Sequence, residues 1–266
     1  MTGHMNKILS YAVVGSTVLS FVAPVATFAQ ESSATSTTSG VVLSAPVCDQ
    51  RTADYLAHME RVRADADARL AQVRADADAR IQRMQTDHDA KTTQLRTDAE
   101  ARLQRQYADR DSKGYKLPAV QQAVQVYRTA VATAITTRRA VVDAAQAAFR
   151  TTQSTSLTTR RSAVDAAIKT RRDAIDAALT AWKARCGLSA AEKKAANKTF
   201  SDAVKLARTT SQAAIKAAFD THSATMKTAR MTRETALQSA ADTFKSTIKT
   251  AKDTLKSSIQ AAKSSK

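Results

Sequence analysis

The sequence predicts an all-α protein in which three long antiparallel helices, running up–down–up, form an elongated coiled-coil-like rod. The first observation is a hendecad repeat, an apolar pattern that recurs every eleven residues, as in VRADADARLAQ at 62–72 and VRADADARIQR at 73–83. Eleven residues make three helical turns of about 3.67 residues, so the apolar stripe stays on one face. The second observation is that helix breakers are nearly absent after Asp49, where the only ones are Gly114, Pro118 and Gly187.

The first 47 residues differ from the rest of the chain. Lys7 precedes a mostly apolar stretch that ends near Val25, and Ala29 is a small residue suited to cleavage. This pattern predicts a signal peptide over 1–29, cleaved or retained as an anchor, and therefore a bacterial protein that is periplasmic, surface-bound or secreted. Residues 30–47 are rich in Ser and Thr and predict a flexible tether.

The predicted rod covers 48–266, with helices over about 49–111, 118–186 and 190–264. Pro118 suits the first turn of the second helix, Gly187 suits a C-terminal cap, and Ser189-Ala-Ala-Glu192 is a capping box for the third helix.

The two cysteines of the chain are expected to meet. Cys48 begins the first helix and Cys186 ends the second, so an antiparallel arrangement brings them to the same level. In an exported chain this predicts a disulfide, with two unpaired thiols or a bridge between chains as the alternatives.

The apolar face of each predicted helix follows from the repeat. In the third helix large apolar residues recur every eleven positions, each followed three positions later by alanine: Val204, Ile215, Met226, Leu237, Ile248 and Ile259, with Ala207, Ala218, Ala229, Ala240, Ala251 and Ala262. The second half of the first helix is expected to bury Ile81, Met84, Leu95, Ala99 and Leu103. Alanine allows close helix approach but buries little surface, so the predicted core is thin.

Polar residues interrupt this face midway along the rod and predict a polar waist formed by His88, Gln146, Gln153 and His222. Such a layer fixes helix register. Two histidines are too few for a metal site, so no metal or cofactor is expected. The acidic pairs Asp65/Asp67 and Asp76/Asp78 are two residues apart and do not share a helix face. Acid–base catalysis is therefore not expected, and the chain is predicted not to be an enzyme.

The formal charge is +17, and it is unevenly distributed. The segment 49–111 is nearly neutral, whereas 112–187 and 188–266 each carry a net charge of +9. Near the C-terminus lies a patch predicted to attract an anionic partner: Lys245, Lys249, Lys252, Lys256 and Lys263. The alternative is a surface that serves only solubility. Specific nucleic-acid binding is not favoured, because the basic helices lack stacking aromatic residues.

The Ala/Arg-rich repeats behind a signal peptide, with one cysteine before the first helix, resemble exported helical proteins of uncultivated small-genome bacteria. A basic, exported helical hairpin is also similar to the tentacles of Skp-type periplasmic chaperones, which implies a holdase. The Thr/Lys-rich repeats over 200–262 resemble those of apolipoproteins, synucleins and perilipins, which implies binding to anionic membranes.

The functional prediction is a non-enzymatic exported rod or spacer, stapled by a disulfide. Its partner would be a protein, an anionic envelope polymer or a lipid surface. A holdase and a membrane-binding protein are the alternatives. A thin alanine seam also leaves room for a homo-oligomer.

Overall fold

The computed structural model describes residues 45–112, 114–115 and 117–264, with side chains from Asp49 onward. The predicted signal peptide and residues 30–44 of the predicted tether lie outside the described residues, whereas 45–47 belong to the first helix. The predicted all-α fold of three long helices is confirmed: α1 spans Ala45–Ser112, α2 Pro118–Lys183 and α3 Ala190–Ser264. The described part of the chain contains no β-strand.

The chain divides into two compact units at Asp78, inside α1. The described part of the first unit is the N-terminal half of α1, in which Thr52 is buried and Tyr55 is half-buried. Burial raises the pKa of the Tyr55 hydroxyl. The second unit contains the C-terminal half of α1 together with α2 and α3.

The turn between α1 and α2 follows from its glycine and proline. Gly114 adopts φ +68°, and its N–H donates to the carbonyl of Asp111 at 3.0 Å, so it caps α1 in the left-handed conformation. Leu117 is extended, as a residue before proline should be, and Pro118 begins α2.

The second helix ends at Lys183, three residues before the predicted end at about 186. A 3-10 turn over Ala184–Gly187 follows α2 directly, and Gly187 closes it without entering the left-handed region that its predicted capping role implied. The capping box is confirmed, because the Ser189 N–H donates to Glu192 Oε2 at 2.9 Å and the Glu192 N–H donates to Ser189 Oγ at 3.4 Å.

In the second unit α2 and α3 run antiparallel and approach closely along much of their length. The predicted α3 face is confirmed: all six large apolar residues and all six alanines of the repeat are buried or half-buried. On α2 the buried side chains include Val124, Val131, Ala134, Ala167 and Leu179. Alanine lets the two backbones come together, and the larger side chains fill the space beside it.

The C-terminal half of α1 presents a face that overlaps the predicted one only in part. Met84 and Leu95 are 58% and 56% exposed, and Ala99 is exposed as well. Ile81 and Leu103 are half-buried as predicted, and the other half-buried positions are Gln85, Thr92, Arg96 and Tyr107. The helix is therefore turned so that a face of mixed apolar and polar side chains points inward.

Candidate functional site

Arginines of α2 meet carboxylates of α1 in a regular series, which we name the arginine–carboxylate ladder. Its three rungs are Arg128 with Asp111, Arg139 with Glu100, and Arg150 with Asp89. Each step of eleven residues forward along α2 is matched by eleven residues backward along α1. Two antiparallel helices that share a hendecad period therefore repeat the same contact at each step.

A further ion pair of reversed polarity lies between two rungs. Arg96 of α1 donates to both carboxylate oxygens of Asp143 of α2, at 3.1 and 2.5 Å. Arg150 likewise donates to both carboxylate oxygens of Asp89, at 2.9 and 2.5 Å. A guanidinium that engages both oxygens constrains orientation as well as distance. These pairs consequently fix the register of the C-terminal half of α1 on α2.

The ladder changes the titration of its carboxylates. The hydrogen bonds from Arg150 hold the pKa of Asp89 below its usual range, and those from Arg96 do the same for the pKa of Asp143. Both carboxylates are 56% exposed, so water and salt screen these pairs. The ladder therefore specifies register more than it adds stability.

One arginine of the ladder also packs on an aromatic ring. The guanidinium of Arg128 lies 4.6 Å from the centre of the Tyr107 ring while it pairs with Asp111. Burial is the main cause of a raised pKa of the Tyr107 hydroxyl. A cation over an aromatic face adds attraction to the ion pair.

Arginine side chains also pack on aromatic rings between α2 and α3. Arginine lies over phenylalanine at three levels, with distances from guanidinium carbon to ring centre of 5.2, 4.8 and 4.5 Å: Arg138 over Phe244, Arg160 over Phe219, and Arg233 over Phe149. The arginine is on α2 in two of these pairs and on α3 in the third. The positive charges of the seam are thus packed on rings, which limits the cost of partly burying them.

The four residues of the predicted polar waist have different surroundings. Gln146, Gln153 and His222 are half-buried, but Gln146 Oε1 accepts weakly from Arg233 at 3.5 Å, whereas His222 pairs with another residue of α2. The side chain of His88 is 55% exposed, and its Nδ1 lies 3.6 Å from Asp89. The placement of His88 was wrong because the C-terminal half of α1 is rotated relative to the predicted seam.

His222 has a partner that the sequence did not suggest. Its Nδ1 lies 2.8 Å from the hydroxyl of Ser156 on α2. Burial lowers the pKa of His222, and the positive charges of Arg160 and Arg230 lower it further. His222 is therefore neutral at pH 7, as a residue in a structural hydrogen bond should be.

The predicted lysine patch lies on the solvent side of the C-terminal end of α3, where all five lysines are exposed. Lys245 pairs with Asp242 at 3.4 Å, and Lys249 pairs with Asp253 at 2.8 Å. Within the part of the chain that the structure describes, Lys252, Lys256 and Lys263 have no ion pair. Three of the five charges are consequently left for solvent or a partner.

The turn after α2 holds an aromatic cluster next to Cys186. Trp182 stacks on Phe200 with ring centres 5.3 Å apart, and its Nε1 donates to Asn197 Oδ1 at 2.8 Å. The guanidinium carbon of Arg185 lies over the Trp182 ring, 3.1 Å from its centre. The predicted disulfide depends on the side chain of Cys48, which lies outside the described side chains, so it stays a prediction.

A groove of about 810 Å³ runs between the start of α2 and the end of α3. Its described lining is Ala, Thr and Ser with Gln122, Val126, Tyr127 and Leu255, and carries no charge. A second groove of about 530 Å³ lies twenty-two residues further along α2, where Phe149 takes the place of Tyr127 and Arg233 adds a charged side chain. The groove at the start of α2 is therefore an uncharged surface besides the basic one.

Other kinds of site have little support in the described residues. These contain no group of three or more His, Cys, Asp or Glu side chains that could hold a metal ion. None of their helices has a stretch apolar enough to span a bilayer. No protein family, curated protein or solved structure matches the chain in sequence or fold comparisons.

The ladder is the functional feature that sequence reasoning missed. A signal for it was present, since arginine recurs every eleven residues at 128, 139 and 150 and a carboxylate recurs every eleven residues at 89, 100 and 111. Apolar periodicity alone orients α1 with Met84 and Leu95 inward, and both of these side chains are exposed.

The ladder predicts the titration of Asp89. Replacing Arg150 with Gln removes the guanidinium, which is the largest cause of the lowered value, so the pKa of Asp89 should rise towards the ordinary value for aspartate. Carboxyl-carbon NMR titration measures this directly. Because the folded-state pKa of Asp89 is lowered, this pair's contribution to stability is present above about pH 4 and is lost as the pH falls through that lowered value. An unchanged pKa in the Arg150→Gln variant would contradict the rung.

His222 predicts a second pH effect. Because its folded-state pKa lies below the usual value of about 6.5, the unfolded chain takes up the proton first as the pH falls. The contribution of His222 to stability is therefore full above about pH 6.5 and declines below it. In His222→Gln, the free energy of unfolding should fall less between pH 7 and pH 5 than in the wild type. An equal fall in the variant and in the wild type would count against this assignment.

Proposed function

We propose that the chain is a non-catalytic structural and interaction protein exported by a bacterium, in which long helices act as a spacer and a basic surface holds an anionic partner at the cell envelope. The N-terminal sequence pattern supports export, and the uniform hendecad repeat supports a spacer. The observation that carries the partner class is the distribution of charge on α3.

On α3 the acidic residues are engaged locally. The segment 188–266 has fifteen basic and six acidic residues. Five of the six acids have partners within four residues along the same segment: Glu192 with Ser189, Asp202 with Lys198, Asp220 with Lys216, Asp242 with Lys245, and Asp253 with Lys249. The remaining basic charge is concentrated on the solvent side of one helix.

The exposed lysines of the predicted patch form a regular row along α3, which we call the lysine row. A row of ammonium groups favours a partner that is itself a repeating polyanion, such as an acidic polysaccharide of the envelope. Lysine is a strongly hydrated point charge on a flexible stem, so it adapts to a polymer without demanding one geometry. Association of this kind is steered by long-range attraction and weakens as salt is added. The expected interaction is therefore multivalent, fast and sensitive to salt.

The uncharged groove between α2 and α3 favours a second function, that of a clamp for extended or helical client segments. Its lining of small residues with exposed Val126 suits apolar side chains of a client. Such a clamp would use a different face from the lysine row, so the two functions respond to different substitutions.

The lysine row is tested by two triple variants of equal charge. Lys252→Gln with Lys256→Gln and Lys263→Gln should elute from immobilised heparin at clearly lower salt than Lys193→Gln with Lys194→Gln and Lys205→Gln, because only the first set removes the C-terminal row. Identical elution of the two variants would contradict a localised binding surface. Elution of both at the wild-type salt concentration would leave the groove as the better-supported surface.

A further inference from the structure

The arginine row of α2 is built to receive a helix that carries carboxylates at hendecad spacing. Its rungs at Arg128, Arg139 and Arg150 lie about 16 Å apart along a straight helix. The carboxylates that they bind lie on α1 at the same spacing. The sequence continues the arginine row with Arg161 and Arg172. The surface is therefore a repeating receptor whose present ligand is a segment of the same chain.

The remaining contacts of α1 in this unit are weak. On the face that it turns inward, Gln85, Thr92 and Arg96 are joined by Ile81, Leu103 and Tyr107, and all six are only half-buried. Met84 and Leu95 face solvent. The ladder carboxylates are themselves more than half exposed. Specificity for the arginine row thus resides in ion pairs at the rim, which an identical set of carboxylates from another chain reproduces.

We infer that the arginine row of α2 also binds the α1 carboxylate row of a second copy of this chain, so that two copies associate by exchanging α1. The exchanged contacts are the same rungs. The short turn at Gly114 has to open, and so does the predicted Cys48–Cys186 disulfide, which would otherwise hold α1 on its own chain.

Charge identifies a second copy as the partner. Two chains of charge +17 repel each other over most of their surfaces. A contact in which arginines of one chain neutralise carboxylates of the other removes that repulsion locally. This association does not involve the lysine row of α3, so it stands or falls independently of polyanion binding.

Complementary variants test the exchange. Asp89→Asn with Glu100→Gln frees two arginines of the row, and Arg139→Gln with Arg150→Gln frees the matching carboxylates. When the two full-length variants are mixed at low ionic strength with a thiol reductant, which opens the predicted disulfide, sedimentation velocity should reveal a two-chain species that neither forms alone. The control replaces the first variant by Asp87→Asn with Asp98→Asn, which has the same charge on the same helix but an intact row. The mixture with this control should associate about 10-fold more weakly.

Equal association in the two mixtures, or none in either, would overturn the inference. Circular dichroism establishes that each variant keeps its helical content. A second measurement does not depend on the folding of a variant: a labelled peptide of residues 79–112 is added to the wild-type chain, beside the same peptide carrying Asp89→Asn and Glu100→Gln. The unsubstituted peptide should bind about 10-fold more tightly. Indistinguishable affinities of the two peptides would also overturn the inference, whereas heparin retention tests only the lysine row.

Discussion

The constraint on which the structure depends is the eleven-residue period shared by its helices. A period of about 3.67 residues per turn keeps a set of side chains on one face over the length of a nearly straight helix. A side-chain pair formed once between antiparallel partners is therefore formed again eleven residues later. The steps from Asp111 to Glu100 to Asp89 and from Arg128 to Arg139 to Arg150 follow this rule. Two arginine–phenylalanine pairs follow it as well, because Arg138 and Phe149 are eleven residues apart on α2 and their partners, Phe244 and Arg233, are eleven residues apart on α3.

The same period holds two chemically different contacts. Between α2 and α3 it places alanine where the backbones approach, and it places arginine over aromatic rings at the margins. Between α2 and the C-terminal half of α1 it places long charged side chains opposite one another. The first contact excludes water and contributes most of the burial. The second contact is exposed and screened, so it contributes mainly register. The second unit thus combines a closely packed α2–α3 pair with the C-terminal half of α1, whose attachment to α2 depends on salt and pH.

Sequence reasoning succeeded where one physical signal dominated. The bounds of α3 and its buried face were predicted correctly, because large apolar residues and alanines recur there without a competing stripe. The breaks at Gly114 and Pro118 followed from backbone chemistry alone. On α1 two faces compete: Met84 and Leu95 continue the apolar stripe, whereas Asp89 and Glu100 lie on another face. The charged face is turned towards α2 because its carboxylates meet arginines at every level, a property of two helices together that no single-helix pattern contains. His88 was misplaced for the same reason.

The central claim is the register of the ladder, and a charge exchange tests it most directly. Asp89→Arg should lower the free energy of unfolding, measured by urea denaturation followed by circular dichroism, since it sets two guanidinium groups against each other. Adding Arg150→Asp should restore that free energy, whereas adding Arg139→Asp, one rung away, should not. Equal restoration by both substitutions, or restoration by neither, would contradict the register described for these helices.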